Sequence, residues 1–233
     1  MIFQPKILPA GDQAILIELG KEIKPEINQQ VHYLAQLLEK RASLGIKEII
    51  PSYSSLLIYY DPAQISFNAV SDLVQNFLHE NSPGPYTPSV IKEIPVVYGG
   101  EYGPDLEFVA QFHGLTGAEV IKIHTSQTYL VYVVGFSPGF AAMGTVPEII
   151  QTPRLPTPRT KVPAGSVGIG GKQTGIYAVE SPGGWRLIGR TPLTLFDLHN
   201  EPPSFFKAGD YARFFSIPAE DFSLYQEQKR KVF

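Results

Sequence analysis

GFSPGFAAMG (135–144), VPAGSVGIGGKQTGIY (162–177) and SPGGWRLIGRTPLTLFD (181–197) are the stretches whose reading decides the fold. Glycine and proline crowd them, yet they also carry Phe136, Phe140, Tyr177, Trp185 and Phe196, so they do not compose a flexible linker. Glycine reaches backbone conformations closed to other residues, and proline fixes φ while removing a donor. Interleaved with aromatic and branched side chains, they predict short strands joined by tightly shaped loops, the pattern of a barrel or sandwich. Such loops on a rigid base commonly carry binding and catalysis. The alternative is a barrel whose turns need Gly and Pro for geometry alone. The cations inside and beside the stretches, Arg154, Arg159, Lys161, Arg186 and Arg190, together with Gln173, favour a site.

Outward from this region, TYLVYVV (128–134) is an apolar strand leading in, IKEIPVVYG (91–99) an earlier one, and ARFFSI (212–217) a closing one. Between the first two, a helix opens with Thr116-x-x-Glu119, the spacing of a capping box, and runs to His124. The N-terminal third reads differently. AILIEL (14–19) is a strand, residues 25–43 carry Ile27, Val31, Leu34 and Leu38 at helical spacing, and two extended runs follow at 47–53 and 55–61. Helical period returns over 66–80. The order strand, helix, strand, strand, helix predicts a small α+β layer of the split β-α-β type. NSPGPYTPS (81–89), with three prolines and a glycine, marks a boundary between domains at 1–84 and 85–233.

Composition narrows the function classes. The 233 residues are 43% hydrophobic and 18% charged, with net charge −3, so there is no basic footprint for nucleic acid. The absence of cysteine removes thiol nucleophiles, disulfides and Cys-ligated zinc. The five histidines show no metal-ligand spacing, and no metal site is expected. No signal-peptide pattern and no membrane-length apolar run is visible, so a cytoplasmic chain without membrane association is expected.

Two motifs fail on chemistry. Gly135-Phe136-Ser137-Pro138-Gly139 matches G-x-S-x-G after a strand, but the residue after the serine must donate its N–H to an oxyanion hole, and Pro138 has none. GIGGKQ (168–173) has Ser166 and Gln173 where a P-loop needs Gly and Ser or Thr, and Gln173 also stands where a dinucleotide fingerprint needs Gly. It reads as two strands around a turn near Lys172. His124 complements a helix C-terminus or serves as a site base. Trp185 is a core anchor or a substrate surface. Arg190 presents a fork that binds carboxylate or phosphate, or holds neighbouring loops through their carbonyls.

With YGGEYGPDLE (98–107), VYVVGFSPGF (131–140), Pro153-Arg154 and Pro158-Arg159, these blocks make the chain resemble the KipI family, whose members are also called the 5-oxoprolinase B subunit or allophanate hydrolase subunit 1. The resemblance implies a ferredoxin-like N-terminal domain and a cyclophilin-like β-barrel. It implies a non-autonomous component of an ATP-dependent hydrolase that opens the cyclic amide 5-oxoproline to glutamate, working with subunits A and C. ATP and Mg²⁺ would be bound in the assembled complex, with no cofactor evident for the chain alone. His124 and Arg190 are the catalytic candidates under this reading. Phe136, Arg154, Arg159, Gly170, Gly171, Gln173, Tyr177 and Trp185 are the substrate-binding ones. Relatives of this type also inhibit a sporulation histidine kinase or form half of a carboxyltransferase unit in urea carboxylase. After GFSPGF, the family's aromatic-Leu-Gly is replaced here by Ala141, Ala142 and Met143, which removes a pocket wall or exchanges it for Met143.

Overall fold

The computed structural model describes residues 4–40, 45–80 and 91–229. The chain divides into two compact units, residues 1–87 and 88–233. The junction expected at 81–89, and the last residues of the helix expected over 25–43, lie outside the described residues.

The first unit contains β1 (Lys6–Pro9), β2 (Ala14–Glu18), α1 (Pro25–Lys40), β3 (Ile46–Pro51), β4 (Ser55–Tyr60) and α2 (Phe67–Glu80). Its antiparallel sheet has the order β1-β2-β4-β3, so β4 lies between the strands that α1 connects. That is the split β-α-β arrangement expected from the element order. Strand periodicity puts Ile15 and Ile17 of β2 and Leu56 and Ile58 of β4 on one face. The apolar stripe of α1 (Val31, Leu34, Leu38) and that of α2 (Val70, Val74, Phe77) share one buried core with them. The hairpin strand β1 escaped the sequence reading because it is four residues long and ends on proline.

The second unit contains β5 (Ile91–Tyr98), α3 (Leu106–His113), α4 (Gly117–Thr125), β6 (Thr128–Val134), β7 (Ala141–Gly144), β8 (Arg159–Val162), β9 (Ser166–Gly170), β10 (Gln173–Ile176), β11 (Ser181–Gly183), β12 (Arg186–Arg190), β13 (Tyr211–Ser216) and α5 (Phe222–Lys229). Seven of these strands close into a barrel in the order β10-β7-β6-β13-β5-β12-β9. The β5–β13 pair is parallel, and β8 and β11 form a separate two-stranded ribbon. GIGGKQTGI is a hairpin, with Gly171 at φ +66° in the turn between β9 and β10. Closure leaves these strands no free edge. The capping box at the start of α4 is present in full: Glu119 N–H donates to Thr116 Oγ1, and Glu119 Oε2 accepts from Thr116 N–H at 2.8 Å. No helix among the described residues is long and apolar enough to cross a membrane.

Register decides which side chains enter the barrel. Val167 and Ile169 of β9, Ile176 of β10 and Met143 of β7 belong to the barrel core, joined by Val109 and Val120 from α3 and α4. With period two, the partners on the other face are Gly168 and Gly170, Gln173 and Gly175, and Ala142 and Gly144. Over these three strands the barrel therefore has an aliphatic inner face and an outer face floored almost entirely by Gly and Ala.

Candidate functional site

The sequence-predicted site residues fall into three places: inside the barrel, on its glycine floor, and around a cavity beside Arg190. His124 is inside. It is fully buried and stacks on Tyr129 and Phe214. Its Nε2 lies 2.8 Å from Thr174 Oγ1 and its Nδ1 lies 2.8 Å from the Tyr98 hydroxyl. Thr174 has one hydroxyl proton, and it donates that proton to the Gly168 carbonyl at 3.1 Å. Thr174 can then only accept from histidine, so Nε2 carries the proton and Tyr98 O–H donates to Nδ1. Burial holds the His124 pKa down to about 3 and pushes the Tyr98 hydroxyl well above its ordinary value. The imidazole is neutral, both nitrogens are engaged, and no face reaches solvent. The structure places His124 in the core, where it ties α4 to β10.

On the floor, Trp185 lies across Gly168, Gly170 and Gly175. A Cβ on Gly170 would come within 2.6 Å of the indole, and one on Gly175 within 3.0 Å. Phe140 packs edge-on against both Trp185 (5.4 Å) and Tyr177 (5.0 Å). Trp185 is 6% exposed and Tyr177 1%. Burial pushes the Tyr177 hydroxyl up. Gln173 is also buried, and its Nε2 has no hydrogen-bond partner among the described residues. Trp185, Tyr177, Gly170 and Gln173, expected to touch substrate, are instead packed beneath the surface. Gly171 is confined to the hairpin turn.

Two arginines border this cluster differently. Arg154 is exposed, with its guanidinium 5.6 Å from the Trp185 ring centre. Arg159 is a tether: its Nη2 donates to Asp105 Oδ1 at 2.8 Å, while Asp105 Oδ2 accepts the Leu187 N–H at 2.7 Å. Asp105, from the YGGEYGPDLE block, was not singled out by sequence reasoning, although a carboxylate just ahead of a helix would have pointed to it. It fastens the segment that carries Trp185.

Arg190 lies at the end of β12 and lines a cavity of about 370 Å³. Its Nε donates to the Ala164 carbonyl at 2.8 Å, and its guanidinium carbon lies 5.9 Å from the Phe222 ring centre. The carbonyl is presented by a turn at Gly165, where φ is +82° and a Cβ would come within 2.4 Å of the Thr191 carbonyl oxygen. Only glycine fits there. Ala178, Glu180, Phe196, Phe222 and Gln226 complete the main walls. The GFSPGF loop adjoins this cavity, because a Cβ on Gly139 would meet Phe196 and Ala178. At the tip of that loop Phe136 is 80% exposed with φ +70°, its ring 5.6 Å from Phe140. Phe222 and Gln226 were absent from the sequence reading, since α5 carries no motif. Among the described residues, no group of three or more His, Asp or Glu side chains is placed to hold a metal ion.

Residues 5–206, the first unit and most of the barrel, match the family described as carboxyltransferase domain, subdomain C and D. The chain belongs to that family. It is 42% identical to the 5-oxoprolinase B subunit of Bacillus subtilis across 98% of this chain and 99% of that protein. It is 27% identical to urea amidolyase of Lachancea kluyveri across 94% of this chain, but that is only 14% of the longer protein. Among solved structures, the crystal structure of TTHA0988 superimposes with a TM-score of 0.79 at 33% identity, covering 89% of this chain and 40% of the other. The resemblance to the 5-oxoprolinase B subunit and the allophanate hydrolase subunit 1 type is thereby established.

Proposed function

We propose that this chain is the B subunit of an ATP-dependent 5-oxoprolinase, contributing to the ring opening of 5-oxo-L-proline to L-glutamate together with subunits A and C. The observation that carries the reading is the end-to-end match to the Bacillus subtilis protein, in which neither chain leaves a domain unaccounted for. The split β-α-β order of the first unit supports a ferredoxin-like assignment. The closed barrel with α3 and α4 packed into its core supports a cyclophilin-like one.

Within this reading the residues divide by task. Arg190 is the anion contact, because its guanidinium is anchored at one nitrogen and borders a cavity. Phe136, exposed at the tip of the loop whose Gly139 abuts the cavity residues Phe196 and Ala178, is the apolar contact. Arg154 supplies a further exposed cation. Trp185, Tyr177, Phe140 and the glycines beneath them form the rigid base that fixes these loops. Arg159 and Asp105 clamp it, and His124 positions β10 from inside. ATP with Mg²⁺ does not suit the Arg190 cavity, whose charged lining is one guanidinium and the Glu180 carboxylate. The nucleotide belongs elsewhere in the complex.

The test is glutamate release from 5-oxoproline by co-expressed A and C subunits, with and without this chain. ATP-dependent turnover only in its presence is the expected result. Turnover by A and C alone, or by this chain alone, overturns the shared-complex reading. A second reading follows from the family description and the urea amidolyase match, in which the chain would be half of a carboxyltransferase unit. Biotin-dependent carboxyl transfer by the same preparation, without glutamate release, would favour it.

A further inference from the structure

We propose that the Arg190 cavity binds a small molecule bearing a single carboxylate, and that Phe222 and Gln226 of α5 set the size it admits. The proposal rests on the 5-oxoprolinase reading, under which the ligand is the lactam acid itself rather than the nucleotide.

Three features of the lining carry it. The first is charge. Arg190 is the cation on the walls, and Glu180, which pairs with Lys161 at 3.1 Å, places a carboxylate on the same cavity. With the Glu180 carboxylate neutralised by Lys161, the Arg190 guanidinium is left to balance a single negative charge, which a polyphosphate would exceed. The second is geometry. With Nε held by the Ala164 carbonyl, the guanidinium plane is fixed, and its two terminal nitrogens make no hydrogen bond among the described residues. That leaves the fork for a bidentate carboxylate contact. The third is size and polarity. A volume of about 370 Å³ sits at the low end for small-molecule pockets, about 300–1,000 Å³. Ala178, Leu193, Phe196 and Phe222 offer apolar contact to ring methylenes, while Gln226 and Thr194 offer amide and hydroxyl groups to a lactam.

The α5 wall is the part that tunes the site. Its Phe222 ring lies 5.9 Å from the Arg190 guanidinium carbon and 5.0 Å from the Tyr102 ring, so it roofs the cation. The family match ends at residue 206, whereas α5 begins at Phe222. This wall therefore lies outside the matched stretch, as does β13 of the barrel.

The experiment is calorimetry and ligand-observed NMR on the purified full chain, using 5-oxo-L-proline, 2-pyrrolidone (the same ring without the carboxylate) and Mg-ATP as probes. Saturable binding of 5-oxo-L-proline is expected, with no displacement by either comparator. Arg190→Lys should weaken it about tenfold or more at an unchanged melting temperature. Phe222→Ala should admit N-acetylproline, which the wild type excludes. Displacement by Mg-ATP, wild-type affinity in Arg190→Lys, or no saturable binding by either method overturns the proposal. If Arg190→Lys fails to fold, unchanged ligand size selection in Phe222→Ala still overturns it. A wild-type complex that releases no glutamate would defeat the functional reading alone, since carboxylate binding at Arg190 would remain measurable.

Discussion

Acidification should remove stability through His124, a residue with no route to solvent. Unfolded, its imidazole titrates near 6.5, whereas in the folded protein burial holds the pKa at about 3. Below pH 6.5 the unfolded chain therefore takes up a proton that the folded chain refuses. The stabilisation is complete above the unfolded pKa and is lost as pH falls toward the folded one. At about 1.36 kcal/mol per pH unit, the loss is about 2 kcal/mol at pH 5 and about 3.4 kcal/mol at pH 4. The groups facing the ring reinforce the sign. Tyr98 donates to Nδ1, so a proton there would oppose a donor, and Thr174 already uses its own proton on Gly168. The assay is urea unfolding of wild type and His124→Gln at pH 7, 6, 5 and 4.5. Subtracting the two curves cancels the titration of every carboxylate the proteins share. The variant should be the less stable at pH 7, and the gap should narrow by about 2 kcal/mol between pH 7 and pH 5. A gap that stays constant over that range would refute the assignment of a neutral, doubly bonded histidine.

Two further outcomes follow from the scaffold around Trp185. Asp105→Ala should destabilise by about 2–3 kcal/mol, because it leaves the Arg159 guanidinium without its carboxylate and the buried Leu187 N–H without its acceptor; chemical unfolding measures this, and a change below about 0.5 kcal/mol would contradict the clamp. Gly170→Ala should cost about 1–3 kcal/mol and alter tryptophan fluorescence, since the added methyl falls 2.6 Å from the only indole; an unshifted emission spectrum would show that the ring does not lie on the glycine floor.

Much of the architecture was legible in local pattern. Apolar residues at helical spacing placed α1 and α2, the Thr116–Glu119 spacing placed the start of α4, and the Gly/Pro-rich blocks predicted short strands of a barrel or sandwich, of which the structure has the barrel. Local chemistry was also enough to set aside Ser137 as a nucleophile and GIGGKQ as a phosphate loop, because a missing N–H and a misplaced Gln need no tertiary context. The resemblance carried by the same blocks was likewise readable in the linear sequence. What sequence could not supply was which side of each strand its residues face. His124 meets Thr174 across 50 positions and Arg159 meets Asp105 across 54, and both meetings depend on strand register. Because side chains alternate with a period of two, a slip of one residue would send Thr174 outward and Gln173 and Gly175 inward. That alternation, fixed only when the barrel closes, sends His124 into the core, lays Trp185 over glycine, and leaves Arg190, among the candidate residues, at the cavity wall.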